Sequence, residues 1–112
     1  MRSFIEYLDG KLNEGRAEIE RLSAEGRKDD ADFAKVSTNI YEVCKTVSQA
    51  LISRPGAGVS AIGAKFEHFR AGWGAALDKA KQHDDAKAVA VEEIKLAALE
   101  DVIAHFKEVK EA

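Results

Sequence analysis

The sequence has few of the residues that shape folds other than helical ones. It contains one cysteine, Cys44, and one proline, Pro55, in 112 residues. A single cysteine excludes an internal disulfide, and the scarcity of proline leaves long stretches able to form helix. No run of about 18 apolar residues is present, which argues against a membrane-spanning helix. The first residues lack the apolar segment of a secretory signal, so we expect a cytoplasmic location.

Recognisable chemistry is also missing. A two-metal site in a helical bundle uses a Glu-x-x-His pattern, and none of the three histidines follows a glutamate at that spacing. The segment 58–65 has the glycine spacing of a phosphate-binding loop, but its lysine comes one residue late and no Ser or Thr follows it. We find no nucleophile–base pair. The sequence therefore predicts no catalytic residue, no cofactor site and no metal site, and it favours a protein that is not an enzyme.

The charge distribution excludes another class of partner. The net charge is −3, with acidic first and last segments and a slightly basic middle. No segment carries the dense stripe of Lys and Arg that binding to phosphate backbones requires. We therefore expect no nucleic acid as a partner, and the lack of an apolar run gives the same expectation for a membrane.

What the chain does contain is apolar residues at helical spacing. Hydrophobic residues make up 46% of the sequence and charged residues 33%, a balance typical of globular domains. Apolar positions recur every three or four residues in four segments, which predicts helices over about 3–25, 30–53, 60–82 and 85–110. Short breaks between helices of similar length favour antiparallel neighbours. The predicted fold is an all-α, antiparallel up-down four-helix bundle forming one domain over 1–112.

Local signals mark the ends of the first helix. Ser3 and Glu6 fit a capping box, in which each side chain reaches the other's backbone amide. Gly26 is suited to the left-handed position just after a helix. Gly15 lies on the apolar stripe of this helix, where a glycine usually permits close approach of another helix or marks a kink.

The later breaks carry comparable signals. Asp29 or Asp30 is expected to cap the second helix, and Asp84 or Asp85 the fourth. The second helix should end near Ser53, because Pro55 disfavours helical geometry in the residue before it.

The fourth helix has more apolar surface than a helix at the edge of a bundle needs. Two apolar lines together cover about 200° of its circumference, against the roughly 100° of an ordinary surface helix. The second line consists of Leu96, Leu99, Ile103 and Phe106. One interpretation is that this line contacts another chain, most simply a second copy of the protein in a homodimer, or else another helical protein. The alternative is a fourth helix that lies centrally in its own domain.

An aromatic stripe on the third helix offers a second candidate site. Phe66, Phe69 and Trp73 share one face and could bind a flat apolar ligand, although such stripes more often belong to the core. Gly72 and Gly74 flank Trp73, and two glycines in one turn weaken a helix and permit a bulge or a close backbone contact.

Two further features favour structural roles. Asp101 and His105 are one turn apart and are expected to form a surface pair. Cys44 lies on the apolar side of the second helix and is expected to be a buried, inert thiol. The sequence thus favours a non-enzymatic protein–protein interaction module that self-associates through its fourth helix. A small bundle that binds an apolar ligand, or an enzyme with an unrecognised site, is the alternative.

Overall fold

The computed structural model describes residues 1–54, 56 and 58–111, and it contains four α-helices joined by short breaks. Their bounds are Arg2–Ala24 (α1), Lys28–Ser53 (α2), Val59–Gln82 (α3) and Ala86–Glu111 (α4). The all-α fold is confirmed. Helix α2 ends at Ser53 as predicted, while Pro55 itself lies outside the described residues.

The first two helices form one antiparallel hairpin, and the last two form another. In the first hairpin, Asp9 near the start of α1 pairs with Lys45 of α2, and Gly15 lies against Thr38. In the second hairpin, α3 with α4, Phe66 and Phe106 make an edge-to-face contact towards the open end, with ring centroids 5.5 Å apart. Both hairpins therefore run up and down, as the short breaks predicted.

The two hairpins meet through α2 and α4, which lie against each other across the bundle. The backbones of α1 and α3 stay apart, and these helices meet only through side chains such as Phe4 and Phe66, whose ring centroids are 6.2 Å apart. This arrangement is a flattened rhombus in cross-section, with overall extents of 44 × 35 × 22 Å. Helix α4 contacts all three other helices.

The starts of the first two helices differ from the prediction. Met1 is the N-cap of α1 and Ser3 lies inside the helix, so the capping box does not form. Glu6 instead pairs with Arg2 at 3.1 Å, one turn before it. Arg27 is the N-cap of α2, with no capping bond from a side chain. Asp29 and Asp30 therefore lie in the first turn of α2, where their charge favours the positive end of the helix dipole.

The ends of α1 and α3 share one geometry. Gly26 adopts φ +74° after α1, and the next amide, that of Arg27, donates to the Leu22 carbonyl at 2.9 Å. This is the Schellman arrangement that the glycine predicted. After α3 the same position is held by Asp84 with φ +51°, the one residue other than glycine with positive φ among those described. Asp85 then caps α4, because its Oδ1 accepts from the Ala88 amide at 3.1 Å, so one of the two predicted caps is confirmed.

The main buried cluster occupies one half of the bundle, and Leu22, Ala31 and Ala80 are buried apart from this cluster, towards the other end. The cluster contains the first part of α1, the second half of α2, the start of α3 and the second half of α4, and its largest fully buried side chains include Phe4, Leu8, Ile62, Phe66 and Leu99. At the other end, Phe33 and Val36 of α2 and Val91 and Ile94 of α4 are only half-buried. None of the described helices is apolar and long enough to cross a membrane.

Candidate functional site

The apolar line on α4 that was expected to meet another chain lies mostly inside the fold. Leu99 is 0% exposed, Ile103 4% and Phe106 3%, and only Leu96 is half-buried. The folded chain therefore does not present this facet at its surface. The wide apolar arc of α4 is explained by its central position, which is the alternative that the sequence left open.

A different apolar surface is accessible at the opposite end of α4. A groove of about 500 Å³ lies between the first turns of α2 and α4. Its apolar lining comes from Phe33 and Val36 on α2 and from Ala86, Ala90 and Val91 on α4. The groove exists because the core fills only the other half of the bundle, which leaves these side chains without a covering helix.

We call this cavity the α2–α4 groove. Its two walls carry charges of opposite sign. Asp29 and Asp32 lie on the α2 wall, and Lys87 lies on the α4 wall. Asp32 has Lys35 on its own helix at 3.8 Å, a weak exposed pair. A surface with an acidic wall and a basic wall is complementary to a copy of itself turned by a two-fold rotation.

The molecule also exposes more surface than a compact monomer of its mass. Its accessible area is 6784 Å², whereas the size scaling of monomeric proteins gives roughly 6,100 Å² for 12.2 kDa. Its radius of gyration is 15.2 Å, against about 13 Å from the corresponding relation for 112 residues. The surplus of about 700 Å² follows from the elongated and flattened shape of the bundle, whose extents are 44 × 35 × 22 Å.

A polar cluster joins three of the helices near the core. Tyr7 of α1 and Tyr41 of α2 both donate hydrogen bonds to Oδ2 of Asp101 on α4, at 2.6 and 2.8 Å. The His105 ring stacks on Tyr7, with centroids 3.7 Å apart and planes 5° apart. The expected Asp101–His105 surface pair is thus replaced by a tyrosine–carboxylate clamp with the histidine stacked beside it.

The clamp holds its groups in fixed protonation states. Burial and the hydrogen bond to Asp101 raise the pKa of both Tyr7 and Tyr41 well above the usual value. Burial alone would raise the pKa of Asp101, but the hydrogen bonds from the two tyrosine hydroxyls, together with the nearby Lys11 and His105, hold that pKa below the usual range. An acceptor that is ionised near neutral pH, between two donors that stay protonated there, is suited to holding helices together. It is poorly suited to accepting or releasing protons near neutral pH.

Cys44 lies in the core beside this cluster. Its side chain is fully buried, and burial raises the pKa of the thiol to about 12, so the thiolate needed for nucleophilic chemistry does not form near neutral pH. The predicted burial of Cys44 is confirmed. Among residues 1–54, 56 and 58–111, no cluster of three or more His, Cys, Asp or Glu side chains is arranged to hold a metal ion.

The three aromatic residues of α3 do not share one environment. Phe66 is 1% exposed and belongs to the core. Phe69 and Trp73 are half-buried further along the helix and stack on each other, with centroids 5.1 Å apart. Lys95 of α4 places its Nζ 4.9 Å from the Trp73 ring centroid. The stripe is therefore divided between a core position and a stacked pair partly covered by a lysine.

The glycines beside Trp73 leave α3 regular. The helix is continuous from Val59 to Gln82, and a Cβ placed on Gly72 or Gly74 would meet nothing within 4 Å. Neither a bulge nor a close backbone contact accounts for these two glycines.

Sequence reasoning did not find the two tyrosines of the clamp. Tyr7 and Asp101 are 94 positions apart, and Tyr41 and Asp101 are 60 apart, so no local spacing links them. The one available signal was a polar aromatic residue next to the apolar stripe on each of two helices.

Compared with protein-family models, with characterised proteins and with solved structures, this chain gives no match.

Proposed function

We propose that this protein is a non-enzymatic, cytoplasmic interaction module that self-associates through the α2–α4 groove. The observation that carries the proposal is an apolar groove at the one end of the bundle where the core is incomplete. The predicted self-association through the fourth helix is kept, but it moves from the buried second line to the first turns of that helix.

Charge selects a second copy as the partner. In a two-fold dimer, Asp29 and Asp32 of one chain face Lys87 of the other, and the same contacts repeat on the second side. Paired walls of opposite sign steer two copies together and fix their register.

The test is the solution mass of the full chain by light scattering over a range of concentrations. We expect twice the 12.2 kDa chain mass for the natural sequence. Val91→Glu and Phe33→Glu place an unpaired charge in the groove and should give a monomer with unchanged helical circular dichroism. Ile52→Glu is the matched control, because Ile52 is 44% exposed on α2 outside the groove, and this variant should still dimerise. A monomeric natural chain up to millimolar concentration contradicts the proposal.

The charge argument has its own experiment. Lys87→Glu alone, and Asp29→Lys with Asp32→Lys, should each weaken the dimer, because both walls then carry one sign. Mixing the two variants should restore a dimer, since each acidic wall again faces a basic one. If the mixture stays monomeric while the natural chain dimerises, the two-fold arrangement is wrong, although self-association itself stands.

A further inference from the structure

The two helices that form the α2–α4 groove carry the same pattern of side chains. On each helix the second residue is charged, and apolar residues follow it four and seven positions later on the same face. The two series are Asp29, Phe33 and Val36 on α2 and Lys87, Val91 and Ile94 on α4. The apolar members are all half-buried. The two walls therefore match in their apolar positions and differ in the sign of the charge that precedes them.

Helices α2 and α4 also run in the same direction, with the two series at the same level. The groove lies between the first turns of both helices, and further along them the Tyr41 hydroxyl reaches Asp101. Tyr41 is 12 residues after Asp29, and Asp101 is 14 residues after Lys87. The two series are thus offset by only about 3 Å at 1.5 Å per residue. No ion pair joins Asp29 and Lys87 across the groove within the described part of the chain.

This arrangement favours one orientation of the two-fold axis in the dimer. An axis parallel to the helices lays α2 of one copy on α4 of the other, at the same level and in the same direction. Asp29 then faces Lys87 of the other copy, and the two apolar series meet. An axis perpendicular to the helices lays α2 on α2 and α4 on α4 in opposite directions, so that walls of like sign meet.

The second acid of the α2 wall lies to the side of this series. Asp32 is one position before Phe33 and therefore about 100° away from it around the helix. Its carboxylate lies 3.8 Å from the amine of Lys35 on the same helix. Asp29 is in line with Phe33 and is therefore the acid that is better placed to face a second copy.

We propose that two copies associate in parallel, with the two-fold axis along the helices and Asp29 of each copy paired with Lys87 of the other. This inference rests on the self-association proposed above and specifies its geometry. The two ion pairs lie at the rim of the apolar contact, where charges set orientation and partner choice more than affinity. The C-terminal ends of both α2 helices then lie at the same end of the dimer.

The distance between two spin labels tests the orientation. Ser53→Cys places a label at the exposed end of α2, 20 residues or about 30 Å beyond Phe33. Cys44 is fully buried and can stay in place. In the parallel dimer the labels lie side by side, less than about 40 Å apart given helix diameters of 10–12 Å. With the perpendicular axis they point away from each other and lie about 60 Å apart. Adding Val91→Glu is the control and should remove the intermolecular distance.

A charge-swapped chain tests the pairing of the walls. Asp29→Lys, Asp32→Lys and Lys87→Glu in one chain reverse the sign of both walls. In the parallel arrangement this chain should dimerise with itself but not with the natural chain, because every mixed contact joins walls of like sign. The perpendicular axis predicts the reverse, with mixed dimers preferred. Native mass spectrometry of the mixture separates these outcomes, since the two chains differ in mass.

Single neutral variants test the choice of Asp29. Asp29→Asn should raise the dissociation constant of the dimer roughly tenfold, because each dimer loses two ion pairs. Asp32→Asn is the matched control on the same wall and should raise it less than about threefold. Sedimentation equilibrium of both variants measures the difference.

The outcomes distinguish this inference from the proposed function. A natural chain that stays monomeric up to millimolar concentration overturns both. A dimer with Ser53 labels about 60 Å apart, or one that prefers to mix with the charge-swapped chain, overturns the parallel arrangement and leaves self-association standing. Equal effects of Asp29→Asn and Asp32→Asn overturn the specific role of Asp29.

Discussion

At the scale of single residues, the tyrosine clamp makes the stability of the fold sensitive to alkaline pH. Folding raises the pKa of Tyr7 and Tyr41 above the ordinary value of 10.0, so the stabilisation is complete below pH 10 and is lost as the pH rises beyond it. The unfolded chain releases two protons there that the folded chain retains. The free energy of unfolding should therefore fall by up to about 1.4 kcal/mol per pH unit for each tyrosine.

Urea unfolding between pH 9 and pH 11 measures this effect. The combined Tyr7→Phe and Tyr41→Phe variant should lose stability at neutral pH, because Asp101 then lacks both donors. Its stability should nevertheless depend less steeply on pH above 10 than that of the natural chain. Equal slopes for the two proteins would show that the clamp does not control alkaline unfolding.

Another single-residue effect concerns the close approach of α1 and α2 at Gly15. A Cβ placed on Gly15 would lie at or within 3.0 Å of three side-chain atoms of Thr38. Gly15→Ala should therefore destabilise the fold by about 1–2 kcal/mol, because the clash outweighs the roughly 1 kcal/mol that alanine gains in helix propensity.

Gly10 provides the control in the same helix, since nothing lies within 4 Å of its added Cβ. Gly10→Ala should stabilise the protein by up to about 1 kcal/mol. Adding Thr38→Ala to Gly15→Ala should recover part of the loss by removing the opposing atoms. Thermal unfolding of the four proteins distinguishes a packing constraint from a simple helix-propensity effect.

At the scale of whole elements, we expect the C-terminal turn of α3 to be less stable than that of α1. Asp84 holds the left-handed position with φ +51°, where Gly26 holds the matching position after α1 with φ +74°. A residue with a Cβ is disfavoured in this region. Asp84→Gly should raise the free energy of unfolding by about 0.5–1 kcal/mol.

The reverse change tests the same geometry. Gly26→Ala should lower the stability by about 1 kcal/mol through backbone strain alone, since no atom lies within 4 Å of the added Cβ. Chemical denaturation of both variants compares the two helix ends. If Asp84→Gly destabilises the protein, then interactions of the aspartate outweigh its backbone strain.

At the scale of the whole molecule, self-association links stability to concentration. If the α2–α4 groove is covered only in a dimer, the melting temperature of the natural chain should rise by a few degrees for each tenfold increase in concentration. Val91→Glu should melt at a temperature independent of concentration, while Ile52→Glu should follow the natural chain. Differential scanning calorimetry over two decades of concentration measures this, and a concentration-independent natural chain contradicts the dimer.

Much of the fold was predictable because its signals are local. The apolar spacing located all four helices within about two residues, and Gly26 and Asp85 were recognised from turn chemistry. The caps predicted for α1 and α2 were wrong, because these helices begin one or two residues earlier and Ser3, Asp29 and Asp30 lie inside the first turn. There Glu6 pairs with Arg2 and Asp30 with Arg27.

The candidate sites depend on information that the spacing does not contain. The sequence showed that α4 has a wide apolar arc. The same sequence pattern is expected whether that arc contacts another chain or is buried within its own chain. Packing of α2 against α4 decided between them, because it buried Leu99 and Phe106 and left Phe33 and Val91 half-exposed.

The sequence by itself determined the number of helices, their approximate bounds and their up-down order, since these follow from periodicity, capping and short connections. Only the tertiary structure decided which pair of helices lies in the middle of the rhombus. That choice brought Tyr7 and Tyr41 to Asp101, buried most of the second apolar line of α4 and opened the α2–α4 groove. The physical reason is that helix formation is governed by neighbours a few residues away, whereas burial depends on how the side chains of distant helices fill the shared space.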